Sequence, residues 1–248
     1  MYTFLRSNKR FVVKVIAFLK FPFIISDLLK YLSKDKKKRF PIPFLEIYPC
    51  LFEKTSFTSF DTHYVYHTAW AARKVQEIIS DSHVDISSSL YFSSIVSAFK
   101  PVKFYDFRPA KLNLSNLVSQ SANLLHLPFK DNSVDSLSCM HTVEHVGLGR
   151  YGDAIDPDGD IHAAKELARV VSVGGSLLFV VPVGKPKIQY NAHRIYSYQM
   201  VMDLFPGLTL KEFSLIPDDA LEKGIMYNAT EEQSDTQEYG CGCFWFIK

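Results

Sequence analysis

The sequence predicts an α/β protein built on a mostly parallel sheet with helices on both faces. Three observations lead there. From residue 62 onward, strand-like and helix-like segments alternate, the pattern of a doubly wound sheet. The run "SLLFVVPV" (176–183) is apolar without alternation, as in a central strand buried on both faces. With 248 residues and 47% hydrophobic content, the chain can bury one sizeable core and still carry an appendage.

The appendage comes first. Residues 1–39 hold eleven Lys/Arg against Asp27 and Asp35, giving +9, whereas residues 40–248 carry −7. At helical spacing Lys9, Arg10, Lys14 and Lys20 fall on one side and Val12, Val15 and Leu19 on the other, a basic amphipathic helix suited to an anionic membrane surface. Lys14, Lys20 and Pro22 interrupt the apolar runs, so neither a membrane span nor a signal peptide is expected. The alternative is a helix packed on its own domain or on a partner. The basic residues alternate with bulky aliphatics ahead of an acidic domain, which argues against nucleic acid. The proline-punctuated stretch 40–61 reads as a linker, and residues 62–248 as the domain.

Within the domain, Ala-rich 63–80 reads as a helix, 83–87 as a strand and 89–99 as a helix. Residues 102–107 form a second strand; "KDNS" turn chemistry precedes a third at 134–140. Ile161, Ala164, Leu167, Ala168 and Val171 make one stripe, so 160–171 is a helix that Gly174-Gly175 would end. The strand 176–183, a helix over 196–205 and strands at 209–216 and 241–248 complete the order. Cys50, Cys139, Cys241 and Cys243 include no C-x-x-C pair; they read as packing thiols in a reducing, cytoplasmic setting, with metal binding by Cys241 and Cys243 the alternative.

In such sheets the ligand sits beyond the carboxyl ends of the strands. Asp85 and Ser87, at the carboxyl end of the first strand, are candidate cofactor contacts. Asp106, twenty-one residues beyond Asp85, stands where nucleoside-binding folds place the carboxylate that accepts the ribose hydroxyls. "HTVEH" (141–145) matches the H-x-x-E-H of zinc peptidases. That motif belongs inside a long helix, yet here a strand leads into it and Gly147 and Gly149 follow.

"SANLLHLPFKDNSVDSLSCMHTVEHV…KELARVVSVGGSLLFVVPVG" resembles the second half of class I S-adenosylmethionine-dependent methyltransferases, which carry "LPF", "D-x-S-x-D", "EH" and a helix ending near "RVLKPGG" in this order. The resemblance implies the Rossmann-like class I methyltransferase fold, S-adenosylmethionine as cofactor, Asp106 on the ribose, Asn123 and Leu124 beside the adenine, and His141 toward the methionine part. Over roughly 61–248, "EHVGLGRYGD-x-x-DPDGD" and "NAHRIY" resemble an uncharacterised methyltransferase-like family found among bacterial surface-polysaccharide biosynthesis proteins. One departure stands out. The turn "DISSSLYFSS" has no glycine, and Ser87 stands where the related family keeps one, so its Cβ is expected to crowd the cofactor.

The candidate catalytic residues are His145 as general base, Glu144 as its orienter, and His193 as a second base. Arg150, Tyr151 and Asp153 in the glycine-rich loop, with Asn191 and Arg194 in "NAHRIY", are candidates to bind a saccharide or nucleotide-sugar acceptor. The leading expectation is methyl transfer to such an acceptor, with no resident metal. A non-catalytic binding or scaffold protein of the same fold is the second reading. The third is a metal-dependent hydrolase using the histidine cluster, in which His63 and His67, four apart on the leading helix, would share a metal with His141 or His193. Asp160 is expected to cap the helix that follows it.

Overall fold

A computed structural model describes residues 20–248. The expected amphipathic pattern of residues 9–19 lies outside the described residues. The chain divides into two compact units, 1–59 and 60–248. The first holds helix α1 over residues 20–34, followed by extended chain with a short 3₁₀ turn at Phe44–Glu46. α1 exposes Phe23 and Leu29. Among the described residues no helix is long and apolar enough to cross a membrane.

The second unit is an eight-stranded sheet in the order β3-β2-β1-β4-β5-β10-β8-β9. β1 (His83–Ile86), β2 (Val102–Asp106), β3 (Leu117–Ser121), β4 (Val134–Met140) and β5 (Val171–Val183) run parallel. β10 (Gly240–Ile247) inserts antiparallel between β5 and β8 (Thr209–Ile216). β9 (Met226–Tyr227) closes the edge, and β6 (Lys187–Gln189) with β7 (His193–Ile195) forms a separate hairpin.

β5 explains its own sequence. Leu177, Phe179, Val181 and Val183 pack into one core, whereas Leu178 and Val180 pack into the other. A strand whose two faces both need apolar side chains cannot alternate. Cys241, Cys243 and Trp245 of β10 join the second core, and Phe244 and Phe246 the first. α2 (Thr62–Glu77) and α3 (Leu90–Val96) cover the second core with Trp70, Val75, Phe92 and Val96. α4 (Gly159–Val170) and α5 (Tyr198–Leu204) cover the first with Ala163, Ala164, Leu167 and Val201. Two short helices, α6 (Ala220–Lys223) and α7 (Glu231–Asp235), lie in the connection between β8 and β10.

The structure departs from the sequence expectations in places. α4 ends at Val170, and Gly174-Gly175 lie inside β5, at an irregularity in its pairing with β4. Gly174 takes φ +77° there, so the pair bends a strand and does not stop a helix. α3 is shorter than 89–99 because the chain leaves the helix at Ser97. β3, the β6–β7 hairpin and β9 are short or exposed, and so lack the periodicity that reveals longer elements.

Polar groups inside this sheet are chained. His83 bonds Ser136 through Nδ1 and Ser138 through Nε2, at 2.7 and 2.9 Å, and the Ser138 hydroxyl donates to Asp85 at 2.6 Å. Burial holds the His83 imidazole down at about 3, and it pushes the Asp85 carboxyl up to about 6 against its serine hydrogen bonds. Burial likewise keeps His67 of α2 well below its ordinary value. The unfolded chain therefore takes up imidazole protons first, below about 6.5, and the native state loses stability as pH falls through that window. Asp85 acts oppositely, because its native carboxyl protonates before the unfolded one. With two buried imidazoles against one carboxyl, the urea midpoint is expected to drop between pH 7 and pH 5; a flat or rising midpoint would overturn this account.

Candidate functional site

The sheet order reverses at β1, between β2 and β4, and ligands in such folds bind outside the carboxyl ends at that point. A cleft of about 440 Å³ opens there. Ser87 after β1, Asp106 to Arg108 after β2, Ala122 to Leu125 after β3, and His141 and Thr142 after β4 line it. His145, Val146 and the loop residues 151–154 complete the wall.

The glycine-free turn is built from serine hydroxyls. Ser87 sits at φ +57°, the left-handed region that a glycine enters freely. Its amide donates to Tyr105 O at 2.7 Å, and Ser88 Oγ accepts the Met140 amide at 3.0 Å. Thr142 Oγ1 donates to Ser87 O at 3.1 Å, so β1 and β4 are fastened together at the mouth of the cleft. Asp106 accepts the Arg108 amide through Oδ1 at 2.7 Å, leaving its other oxygen for a ligand. Asn123 Oδ1 accepts the Leu125 amide at 3.0 Å. Leu127, Pro128 and Phe129, which follow this wall in the chain and of which Leu127 and Phe129 join the first core, are held by α4. Arg169 donates to Phe129 O at 2.8 Å and pairs with Glu166, which accepts the Leu127 amide at 2.7 Å.

Two guanidiniums lie against the Tyr151 ring, Arg108 at 4.9 Å and Arg150 at 5.0 Å from its centre. The loop carrying it is shaped by Asp153, which accepts the amides of Gly147 and Tyr151 at 2.7 and 3.1 Å. Burial would raise the Asp153 carboxyl, but these amides together hold it below the usual range. Gly147 adopts φ +81°, and a Cβ there would stand 2.0 Å from Asp156 O.

His145 Nδ1 lies 2.6 Å from Ala192 O. A carbonyl only accepts, so Nδ1 carries the proton and Nε2 keeps its lone pair. Burial lowers this imidazole, so it is neutral at pH 7. Arg150 donates to the same carbonyl at 2.9 Å.

Sequence reasoning placed other residues at the cleft that the structure sets apart from it. Glu144 is 1% exposed and faces inward, with Oε1 2.9 Å from His141 Nδ1 and 3.8 Å from His145 Nε2. It orients His141 more directly than His145. Asp85 is buried beneath the turn, held by Ser93 and Ser138. Arg194, expected to meet an acceptor, is 6% exposed. It donates to Val146 O at 2.7 Å and Pro157 O at 3.1 Å, and its Nε is 3.6 Å from Asp160. Asp160 in turn accepts the Tyr196 hydroxyl at 2.9 Å; it belongs to the first turn of α4 and points inward, with Asp158 at the cap position. Asn191 is exposed outside the cleft lining. His193 packs on Tyr239, with ring centres 5.1 Å apart, and burial lowers its imidazole.

Two participants had no sequence signal strong enough to find them. Arg108 lies two residues past a strand end, in an exposed loop. Cys241 Sγ is 3.4 Å from His141 Nε2, a contact between residues 100 apart in sequence. His63 and Tyr64 of α2 stack on the same His141 ring at 5.7 and 5.4 Å. Burial and the neighbouring His141 lower His63 to about 4.

The family model described as "Caenorhabditis protein of unknown function, DUF268" matches residues 114–237. An uncharacterized protein of Methanocaldococcus jannaschii is 37% identical over 60 residues, 24% of this chain and 21% of that protein. The chain thus spans about a fifth of the length of that curated relative. Among solved structures, the N-methyltransferase NodS from Bradyrhizobium japonicum WM9, in complex with S-adenosyl-L-homocysteine, is similar over 73% of this chain and 84% of that one, with TM-score 0.51 and 11% identity. The [4+2]-cyclase SpnF is similar over 73% and 81%, also with TM-score 0.51 and 11% identity. The fold is the class I methyltransferase, Rossmann-like one.

Arg194 is the strut beneath the site. Arg194→Met would leave two buried carbonyls and the Asp160 carboxylate without their cation, at a cost of about 3–5 kcal/mol. The expected result is a correspondingly lower denaturant midpoint, together with faster proteolysis within 146–158; an unchanged midpoint would remove the strut role.

Proposed function

Because the chain belongs to the family described as Caenorhabditis protein of unknown function, DUF268, and has the class I methyltransferase fold, we propose that it is an S-adenosylmethionine-dependent methyltransferase. The observation that carries this reading is the cleft at the strand ends, with Asp106 and Asn123 on adjoining walls. The residues present suit the cofactor: one Asp106 oxygen remains for a ribose diol, and in this reading Asn123 and Leu124 would meet the adenine, with Ser87 and His141 toward the methionine part. When bound, the cofactor supplies an electrophilic methyl group. The protein's part is to hold the acceptor hydroxyl and take its proton. His145 Nε2 is suited to that, because its Nδ1–H is fixed on Ala192 O and the ring is neutral at pH 7.

The acceptor in this reading is a saccharide or nucleotide-sugar of surface-polysaccharide biosynthesis. Tyr151, with Arg108 and Arg150 against its ring, offers an aromatic face for a sugar ring and cations for a diphosphate. The basic first segment places the protein on the inner face of an anionic membrane, a reading supported by +9 over residues 1–39 and the exposed Phe23 and Leu29. The full chain should pellet with anionic vesicles at low salt and be released at high salt; equal pelleting with neutral vesicles would refute the anchor.

Calorimetric titration with S-adenosylhomocysteine tests the central claim. One-to-one binding is expected, weakened by Asp106→Ala by about 1.5–3 kcal/mol, roughly ten- to a hundredfold in Kd. Ser87→Gly should tighten it, since the Cβ at φ +57° is removed. No heat from folded protein at millimolar ligand would favour the second reading, a non-catalytic binding protein of this fold, which the glycine-free turn supports.

A further inference from the structure

A second cluster shares His141 with the cleft. The ligand atoms of His63 from α2, His141 after β4, and Cys241 from β10 all lie within 4.8 Å of one another. We propose that His63, His141 and Cys241 bind a borderline-soft divalent transition ion, with zinc the expected one.

The donor set selects the metal. Two imidazoles and a thiol suit zinc and disfavour magnesium or calcium, which want oxygen. Zn–N and Zn–S bonds of about 2.0–2.1 and 2.3 Å put the two donor atoms about 3.5 Å apart in a tetrahedral site. Cys241 Sγ and His141 Nε2 are 3.4 Å apart. The set closes fully when the His63 side chain, the one donor carried by a helix, swings in.

The surroundings match a metal site in a second respect. His141 Nδ1 is 2.9 Å from the Glu144 carboxylate, so that nitrogen donates and Nε2 keeps its lone pair toward Cys241. Carboxylate–histidine pairs of this kind orient metal ligands. Buried polar atoms without a partner are rare, yet among the described residues three of them, His67 Nε2, Glu144 Oε2 and His193 Nε2, belong to this neighbourhood. His67 packs on His141 at 4.9 Å, and His193 shares Tyr239 with His63.

Binding balances simply. The ion displaces the Cys241 thiol proton to solvent, forms one Zn–S and two Zn–N bonds, and changes no oxidation state. Three protein ligands leave a fourth position for a water or a substrate oxygen. His141 also lines the cleft, so the ion would stand beside the acceptor side of the site.

The experiment uses untagged full-length protein carrying Cys50→Ser, which removes the one exposed thiol. Elemental analysis after chelator-free purification should find about one zinc per chain. Cobalt(II) added to the stripped protein should give a near-ultraviolet thiolate-to-cobalt band and tetrahedral visible bands. Cys241→Ser should abolish the thiolate band, His63→Ala should weaken cobalt binding at least tenfold, and Cys243→Ser should leave both unchanged. Folded protein with neither zinc nor a cobalt–thiolate band, or a band surviving Cys241→Ser, would overturn the site. S-adenosylhomocysteine titration of the same variants is read separately, so loss of the metal and loss of cofactor binding remain distinguishable.

Discussion

The buried guanidinium of Arg194 fixes where the active face can be. It reaches from β7 to the carbonyls of Val146 and Pro157 and to the Asp160 carboxylate of α4. These groups come from three separate stretches, none of which could bury its polar atoms alone. Once they converge, the 3₁₀ turn Val143–His145 must lie directly after β4, the loop 146–158 must fold over the cleft, and α4 must start inward. The positions of His145, Tyr151 and Asp153 all follow from that convergence.

A second constraint is the serine-built turn between β1 and α3. A glycine-rich turn lets a ligand approach the backbone closely. Here hydroxyls perform the fastening instead, with Ser88 on the Met140 amide and Thr142 on Ser87 O. His141 adopts φ +53° in the same region, at an unfavourability of about 1–2 kcal/mol for a residue with a Cβ. That conformation places its ring between two environments, the cleft on one side and the His63–Cys241 cluster on the other. A single strained residue therefore couples the nucleoside-sized cleft to the histidine cluster.

The electrostatics follow from burial. His63, His67, His83, His145 and His193 are all held below their ordinary value chiefly by desolvation. Neutral imidazoles can accept a proton or coordinate an ion; charged ones can do neither. The same burial that makes these rings chemically useful makes the native state sensitive to acid, because each would rather be protonated in the unfolded chain.

The order of the longer strands and helices was legible in the sequence because it rests on local periodicity. The unbroken apolar run of β5 and the helical stripe of α4 are visible within a dozen residues. Ser87, Asp106 and His141 could be placed at strand ends for the same reason, since a parallel sheet presents all its carboxyl ends on one side; Asn123 and Leu124, after the short β3, were marked only by the resemblance to class I methyltransferases. The sequence could not reveal that Glu144 and Arg194 face inward, for charged residues beside glycines look exposed until their partners are known. Nor could it show Cys241 against His141. That contact exists only because β10 enters the sheet antiparallel between β5 and β8, bringing the end of the chain back to the strand ends. Local chemistry determined the elements, and the long-range register of the sheet decided which side chains meet.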